Sequence, residues 1–282
     1  MVKRALRWLL YLVIALVLGI GGFLALLSSK QASLIYFPRP YGSNKVAEWD
    51  ARQGTTILSY QTSSGNQQAY LLSTSNQTQR LWFVCGGNGT IALEWSDWIR
   101  QHASPDDAYL FFDMPGYGAC SGKPSPGSIK ESIKVVIPAA ANALGWTLEP
   151  SDPRLRFFGH SLGAAVSLEA AREFDIRRGV ILTPFTSTMD MAREMTGMPV
   201  GFLVKHRFDN TERLEEMAKR GNAEVFVIHG SNDEVIPVEM SRTLAKEVPE
   251  VVRYTEIPKG MHNDLQDIAP EVLMKAMFEA RQ

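Results

Sequence analysis

Six short apolar runs, at 81–85, 108–112, 155–158, 179–182, 225–228 and 251–257, alternate with segments of helical composition through most of this 282-residue chain. A strand that is apolar on both faces has to be covered on both faces, and helices placed between such strands provide the cover. The alternation therefore predicts an α/β fold with a mostly parallel sheet flanked by helices, expected at 94–102, 128–143, 162–174, 211–220, 239–248 and 265–280. Pro138 falls inside the second of these, where the missing backbone donor predicts a kink or a break. Two earlier runs, 56–60 and 68–73, flank a turn-like Ser-Ser-Gly-Asn and predict an antiparallel hairpin at the front of the sheet. No internal repeat or low-complexity tract interrupts the pattern, so residues 55–282 read as one domain.

The start of the chain has a different character. Residues 8–27 are twenty positions without a charge, which at a helical rise of 1.5 Å span about 30 Å, the thickness of a bilayer's hydrocarbon core. The following Ser-Ser-Lys-Gln-Ala-Ser is a poor signal-cleavage site, so residues 1–30 read as an uncleaved membrane anchor, with a cleaved signal as the alternative. Lys3, Arg4 and Arg7 outnumber Lys30, which by the positive-inside rule keeps the N-terminus cytoplasmic and sends the body to the periplasm or exterior. Residues 31–54 carry Tyr36, Phe37 and Tyr41 beside Pro38 and Pro40 and read as an extended tether suited to a membrane interface. Of 29 basic and 30 acidic residues, the body keeps 25 basic against 30 acidic once those four cations are set aside. Such a mildly acidic body lacks the field a nucleic-acid binder needs, so no nucleic-acid partner is expected.

In an open parallel sheet, ligands bind where the strands end at their carboxyl side. Gly159-His160-Ser161-Leu162-Gly163 sits between the apolar run at 155–158 and a helix-forming run, the strand-turn-helix context that a G-x-S-x-G nucleophile elbow requires. A serine hydroxyl needs a base to take its proton, and the base needs a carboxylate to orient it. His229-Gly230-Ser231-Asn232-Asp233 follows one strand and Gly260-Met261-His262 follows the next, so the expected catalytic residues are Ser161, Asp233 and His262, in that order along the chain. Glu234 is a rival acid. His229 stands too close to Asp233 in sequence to serve as the base and reads as a packing residue, and His160 should point away from its neighbour. His102 and His206 lie in helical or lid-like stretches without paired ligands. No metal-ligand spacing is visible, so neither metal nor cofactor is expected. Oxyanion donors are expected from the backbone N–H groups of Leu162, at a helix N-terminus, and of Asn88 in the Gly86-Gly87-Asn88-Gly89 loop, with Gly87 as the alternative. The glycine-rich loop 113–122 is assigned to pocket shape.

Taken together, G-H-S-L-G, the D-M-P-G-Y-G-x-x-S-G loop, G-G-N-G, H-G-S-N-D and G-M-H-N-D resemble the α/β-hydrolase superfamily over roughly positions 55 to 280, and within it the membrane-anchored relatives of the serine aminopeptidase-like group. The resemblance implies an eight-stranded sheet and Ser-His-Asp hydrolysis mapped onto Ser161, His262 and Asp233. Many relatives carry a histidine where this chain has Gly86, and a serine is commoner where it has Cys120.

Cys85 and Cys120 each follow a strand, and an exported body would permit a bridge between them, against the alternative of two buried thiols. Between the sixth and seventh strands some forty residues form a lid, about 184–220, whose first half holds Met189, Met191, Met195, Met198 and Phe202. These side chains line an adaptable acyl pocket or simply pack the lid onto the body. The sequence thus predicts a membrane-held serine hydrolase of ester or thioester bonds in apolar acyl substrates, with a small-molecule or lipid-like ligand. A peptidase and a non-catalytic hydrolase-like binding module are the alternatives.

Overall fold

The computed structural model describes residues 2–282, with the side chains of residues 2, 3, 5, 20 and 24–28 outside the description; the contribution expected of Lys3 therefore lies outside it. Eight strands form one sheet: β1 (Thr55–Thr62), β2 (Gly65–Ser73), β3 (Leu81–Cys85), β4 (Ala108–Phe112), β5 (Leu155–His160), β6 (Arg178–Leu182), β7 (Glu224–Gly230) and β8 (Val252–Ile257). Their order is β1-β2-β4-β3-β5-β6-β7-β8, antiparallel at β1-β2 and β2-β4 and parallel from β4 to β8. The predicted hairpin and the mostly parallel sheet are both present.

Alternation along the strands divides the core into two layers. Leu81, Phe83 and Cys85 of β3 face one layer with Leu110 and Phe112, while Trp82 and Val84 face the other with Tyr109 and Phe111. The first layer is closed by α4 (Pro126–Ala143) and α5 (Leu162–Phe174), through Ile129, Ile133, Ile137, Ala164 and Leu168. The second is closed by α3 (Ser96–His102) and α10 (Pro270–Arg281), through Ile99, Leu273 and Met277. Each such Ile, Leu or Met side chain removed from water contributes roughly 1.5–3 kcal/mol, which is what selects this layering.

Several expectations shift. Pro138 does not break α4, because it and Lys134, whose carbonyl loses its partner, lie on the exposed face where solvent can bond instead. The helix expected over 265–280 is split into α9 (Leu265–Ile268) and α10 at Ala269, since the residue before Pro270 is forced out of helical geometry (φ −140°). The helix expected from 94 starts as a 3-10 turn at Ala92–Glu94 before α3. Cys85 and Cys120 are buried free thiols, not a bridge, and burial pushes Cys120 up to about 12. The forty-residue connection holds α6 (Thr188–Thr196), a 3-10 turn at Gly201–Leu203 and α7 (Asn210–Arg220). An antiparallel bridge from Ser187 to Asp209 closes its base. Leu214 and Met217 of α7 belong to the core, so the excursion over the sheet is shorter than 184–220.

At the N-terminus, α1 (Val2–Ile35) contains one stretch, Leu6–Phe23, long and apolar enough to cross a membrane, with a mean hydropathy of 2.0. The helix continues past the apolar run without a break, and the segment after it is no free tether. Tyr36 and Trp49 are buried against the body, and α2 (Lys45–Asp50) forms inside it. α8 (Val238–Glu247) packs beside β7 and β8.

Candidate active site

Ser161 occupies the sharp turn between β5 and α5 at φ 55°, ψ −120°, a conformation that costs a non-glycine residue about 1–3 kcal/mol and persists only where its surroundings enforce it. The enforcement is visible: its N–H donates to the Leu182 carbonyl on β6 at 2.9 Å, and its carbonyl accepts from Ala164 N–H at 3.0 Å. The turn lifts the hydroxyl to the carboxyl edge of the sheet, where loops after β7 and β8 converge on it. His262 Nε2 lies 3.0 Å from Ser161 Oγ, and His262 Nδ1 lies 2.8 Å from Asp233 Oδ2. Both are hydrogen-bond distances, and the three groups form one row. Asp233 is further held by the N–H groups of Val235 and Ile236, each 2.8 Å from Oδ1. Burial pushes its carboxyl up, but hydrogen bonds from His229 and His262 outweigh that and hold it below the usual carboxylate range.

Glu234, the rival acid, instead accepts the backbone N–H of His262 at 3.1 Å and so positions the loop. His160 turns from Ser161 and its Nε2 lies 2.9 Å from the His262 carbonyl. Burial, then the neighbouring His262, lowers it to about 4, so it is neutral at pH 7. His102 stacks on Trp98, and His206 meets the ring of Tyr36. Among the described residues no group of three or more His, Cys, Asp or Glu stands together as a cation site.

Sequence reasoning missed the part played by His229. It is fully buried, with Nε2 3.0 Å from Asp233 Oδ2 and Nδ1 2.6 Å from Ser241 Oγ, so the acid touches two imidazoles. It also missed Trp95 and Trp98. With Thr90, Glu94, His160, Asn263 and Gln266 they line a cavity of about 210 Å³ beside the row. A second cavity of the same size, between Trp82, Tyr109 and Arg281, lies away from these residues.

Leu162 opens α5, so its N–H has no carbonyl one turn earlier to bond and is left free for a ligand. In the glycine loop, Gly87 packs directly against Ser161: a Cβ there would stand 3.4 Å from Ser161 Cβ and 3.3 Å from His160 Nδ1. The Asn88 carbonyl faces the opposite way, accepting from Phe37 N–H at 3.0 Å and Tyr117 Oη–H at 2.6 Å. Asp113, at the head of the 113–122 loop, accepts Ala92 N–H at 2.8 Å and Tyr41 Oη–H at 2.5 Å, and burial raises it to about 6. Of the five side chains expected to line a lid pocket, Met191 packs on the core, whereas Met189 and Met198 are partly exposed and Met195 (73% exposed) and Phe202 (67%) face outward.

No family model matches the chain. An uncharacterized protein of Mycobacterium tuberculosis, Rv2307c, is 28% identical over 261 residues, covering 91% of this chain and 89% of that protein. Human alpha/beta hydrolase domain-containing protein 17B is 25% identical over 207 residues, 73% of this chain and 68% of that one. In structure, an esterase of Pyrococcus furiosus superposes with a TM-score of 0.62 at 17% identity, covering 87% of this chain and 96% of its own.

Proposed function

The chain has the α/β-hydrolase fold, and on that scaffold we propose that it is a serine hydrolase acting on ester or thioester bonds of apolar acyl substrates. The row Ser161, His262, Asp233 at the ends of β5, β8 and β7 carries this reading. As a substrate carbonyl approaches, Ser161 Oγ bonds to its carbon while the hydroxyl proton passes to His262 Nε2. Asp233 holds the imidazole and stabilises the imidazolium that forms. The N–H groups of Leu162 and of the Gly87–Asn88 segment stabilise the oxyanion. When the tetrahedral intermediate collapses, the carbon–oxygen or carbon–sulfur bond to the leaving group breaks and His262 returns the proton to it. Water, deprotonated by the same imidazole, then releases the acid and restores Ser161.

An ester fits better than an aminoacyl amide. Holding a free ammonium needs an unpaired carboxylate, and Glu94, the carboxylate in the adjoining cavity, is already ion-paired with Arg39. The Pyrococcus protein of the same fold is an esterase. A fluorophosphonate probe should label the folded chain at one site and fail to label Ser161→Ala; undiminished labelling of that variant would refute the assignment. A panel of p-nitrophenyl esters and aminoacyl p-nitroanilides tests the substrate class, with esters expected to be cleaved fastest.

A further inference from the structure

The end of α1 and the residues that directly follow it are bonded to both walls of the crevice. Gln31 grips the lid with both amide atoms: Nε2–H donates to the Leu203 carbonyl at 2.5 Å, and Oε1 accepts the Lys205 N–H at 2.6 Å. Tyr36 Oη lies 3.3 Å from His206 Nδ1. On the other side, Phe37 N–H reaches Asn88 O, and Arg39 Nε–H donates to Gly89 O at 2.5 Å, both in the glycine loop that packs on Ser161. Lid, helix end and glycine loop are thereby tied together.

Their depth follows from the helix. The uncharged run ends at Leu27, and α1 continues unbroken, so Gln31 lies four residues or about 6 Å further along the axis. The headgroup layer on each side of the hydrocarbon core is about 5–8 Å thick, so the part of the lid that Gln31 holds falls within it. The side chains there suit that place. Phe202 and Met195 are about two-thirds or more exposed, and Met198, Leu34 and Phe37 are about half exposed. Between residues 195 and 208 there is no acid, and Lys205 and Arg207 follow the apolar positions, with Lys30 on the helix beside them. Rings and thioethers backed by cations are what an interface of acyl chains and anionic headgroups accepts.

We propose that the lid docks into the headgroup layer of the leaflet from which α1 emerges, with Phe202, Met198 and Met195 in its acyl boundary, so that the site draws its acyl substrate sideways from that leaflet. This rests on reading α1 as the anchor and Ser161 as the nucleophile. The substrate is then a bilayer-resident acyl lipid, not an ester dissolved in water.

The test uses the full chain in vesicles of phosphatidylcholine and phosphatidylglycerol. An environment-sensitive fluorophore is placed at Phe202→Cys, at Met195→Cys in case the first does not fold, and at Lys246→Cys on exposed α8 as the reference; buried Cys85 and Cys120 remain unlabelled. Lipids carrying a nitroxide near the top of the acyl chain should quench the lid position several-fold more than position 246. Equal, weak quenching at both positions in a chain that resists carbonate extraction overturns the docking while leaving the anchor intact. A chain washed off by carbonate overturns the anchor and the docking together, and leaves fluorophosphonate labelling of Ser161 to be judged on its own. In the same vesicles, Phe202→Asp should lower the rate on an embedded oleoyl ester relative to a soluble butyrate ester several-fold; an unchanged ratio overturns the lateral supply.

Discussion

One carboxylate oxygen, Asp233 Oδ2, is shared between two imidazoles, His262 at 2.8 Å and His229 at 3.0 Å. An ionised carboxylate and a carbonyl only accept, so His229 shares its Nε2–H between Asp233 Oδ2 and the Ile236 carbonyl, each 3.0 Å away, and its Nδ1 accepts the Ser241 hydroxyl proton. His229 thus helps to hold Asp233 where it meets His262. Losing one hydrogen bond to a charged group costs about 1.5–3 kcal/mol. If that loss falls on the transition state, His229→Ala should lower kcat about 10- to 100-fold with KM little changed. His229→Gln, which keeps a donor, should recover part of it, as steady-state kinetics on an acyl ester would show. The three residues proposed for catalysis were legible because each ends its own strand in an order that one fold class uses. His229 was not, because its contact with Asp233 arises from the turn through Gly230, where Asp233 N–H bonds the Gly230 carbonyl at 3.3 Å. Sequence proximity had argued for packing alone.

At the scale of the element, the strand-turn-helix elbow works because two backbones approach within contact distance. A Cβ at Gly163 would stand 2.2 Å from the Cys85 carbonyl oxygen, and one at Gly159 would stand 2.4 Å from that of Gly163. Neither neighbour is a flexible side-chain tip, so Gly163→Ala should cost more than about 3 kcal/mol or prevent folding. Gly127, in the first turn of α4, meets nothing closer than 4.0 Å, and Gly127→Ala should stabilise by about 0.5–1 kcal/mol. Urea midpoints of the two variants against the wild type would separate them. Strand positions were readable because β3 and β4, and β5 apart from Arg156 and His160, are apolar on both faces and have no other way to be covered. α6 was not, being short, mostly exposed and started by the Ser187 side chain accepting Asp190 N–H, a local cap that the surrounding methionines obscured.

For the molecule as a whole, two buried groups make stability respond to pH in opposite senses. His160 is lowered from 6.5 to about 4. Between those values the unfolded chain binds a proton that the folded chain refuses, so its contribution is complete above pH 6.5 and is lost as pH falls toward 4. Asp113 is raised from 3.8 to about 6, so its contribution is complete below pH 3.8 and is lost as pH rises through 6. The stability difference between wild type and His160→Gln should therefore grow by on the order of 3 kcal/mol from pH 4 to 6.5. That between wild type and Asp113→Asn should shrink over a similar window. Chemical denaturation at a series of pH values checks both signs. Neither shift was legible in the sequence, since each comes from burial that only the assembled layers create.

On the proposed anchoring, a helix that runs unbroken into the body behaves as a mast rather than a leash. α1 stays helical to Ile35, and the bonds of Gln31, Phe37 and Arg39 begin at once. With no slack between them, the proposed anchoring makes the rise of the helix set the height of Ser161 over the bilayer, so that the protein measures out one working distance. Lengthening the mast by a few residues would change which bonds of a membrane molecule come within reach, without altering a single group that does the chemistry.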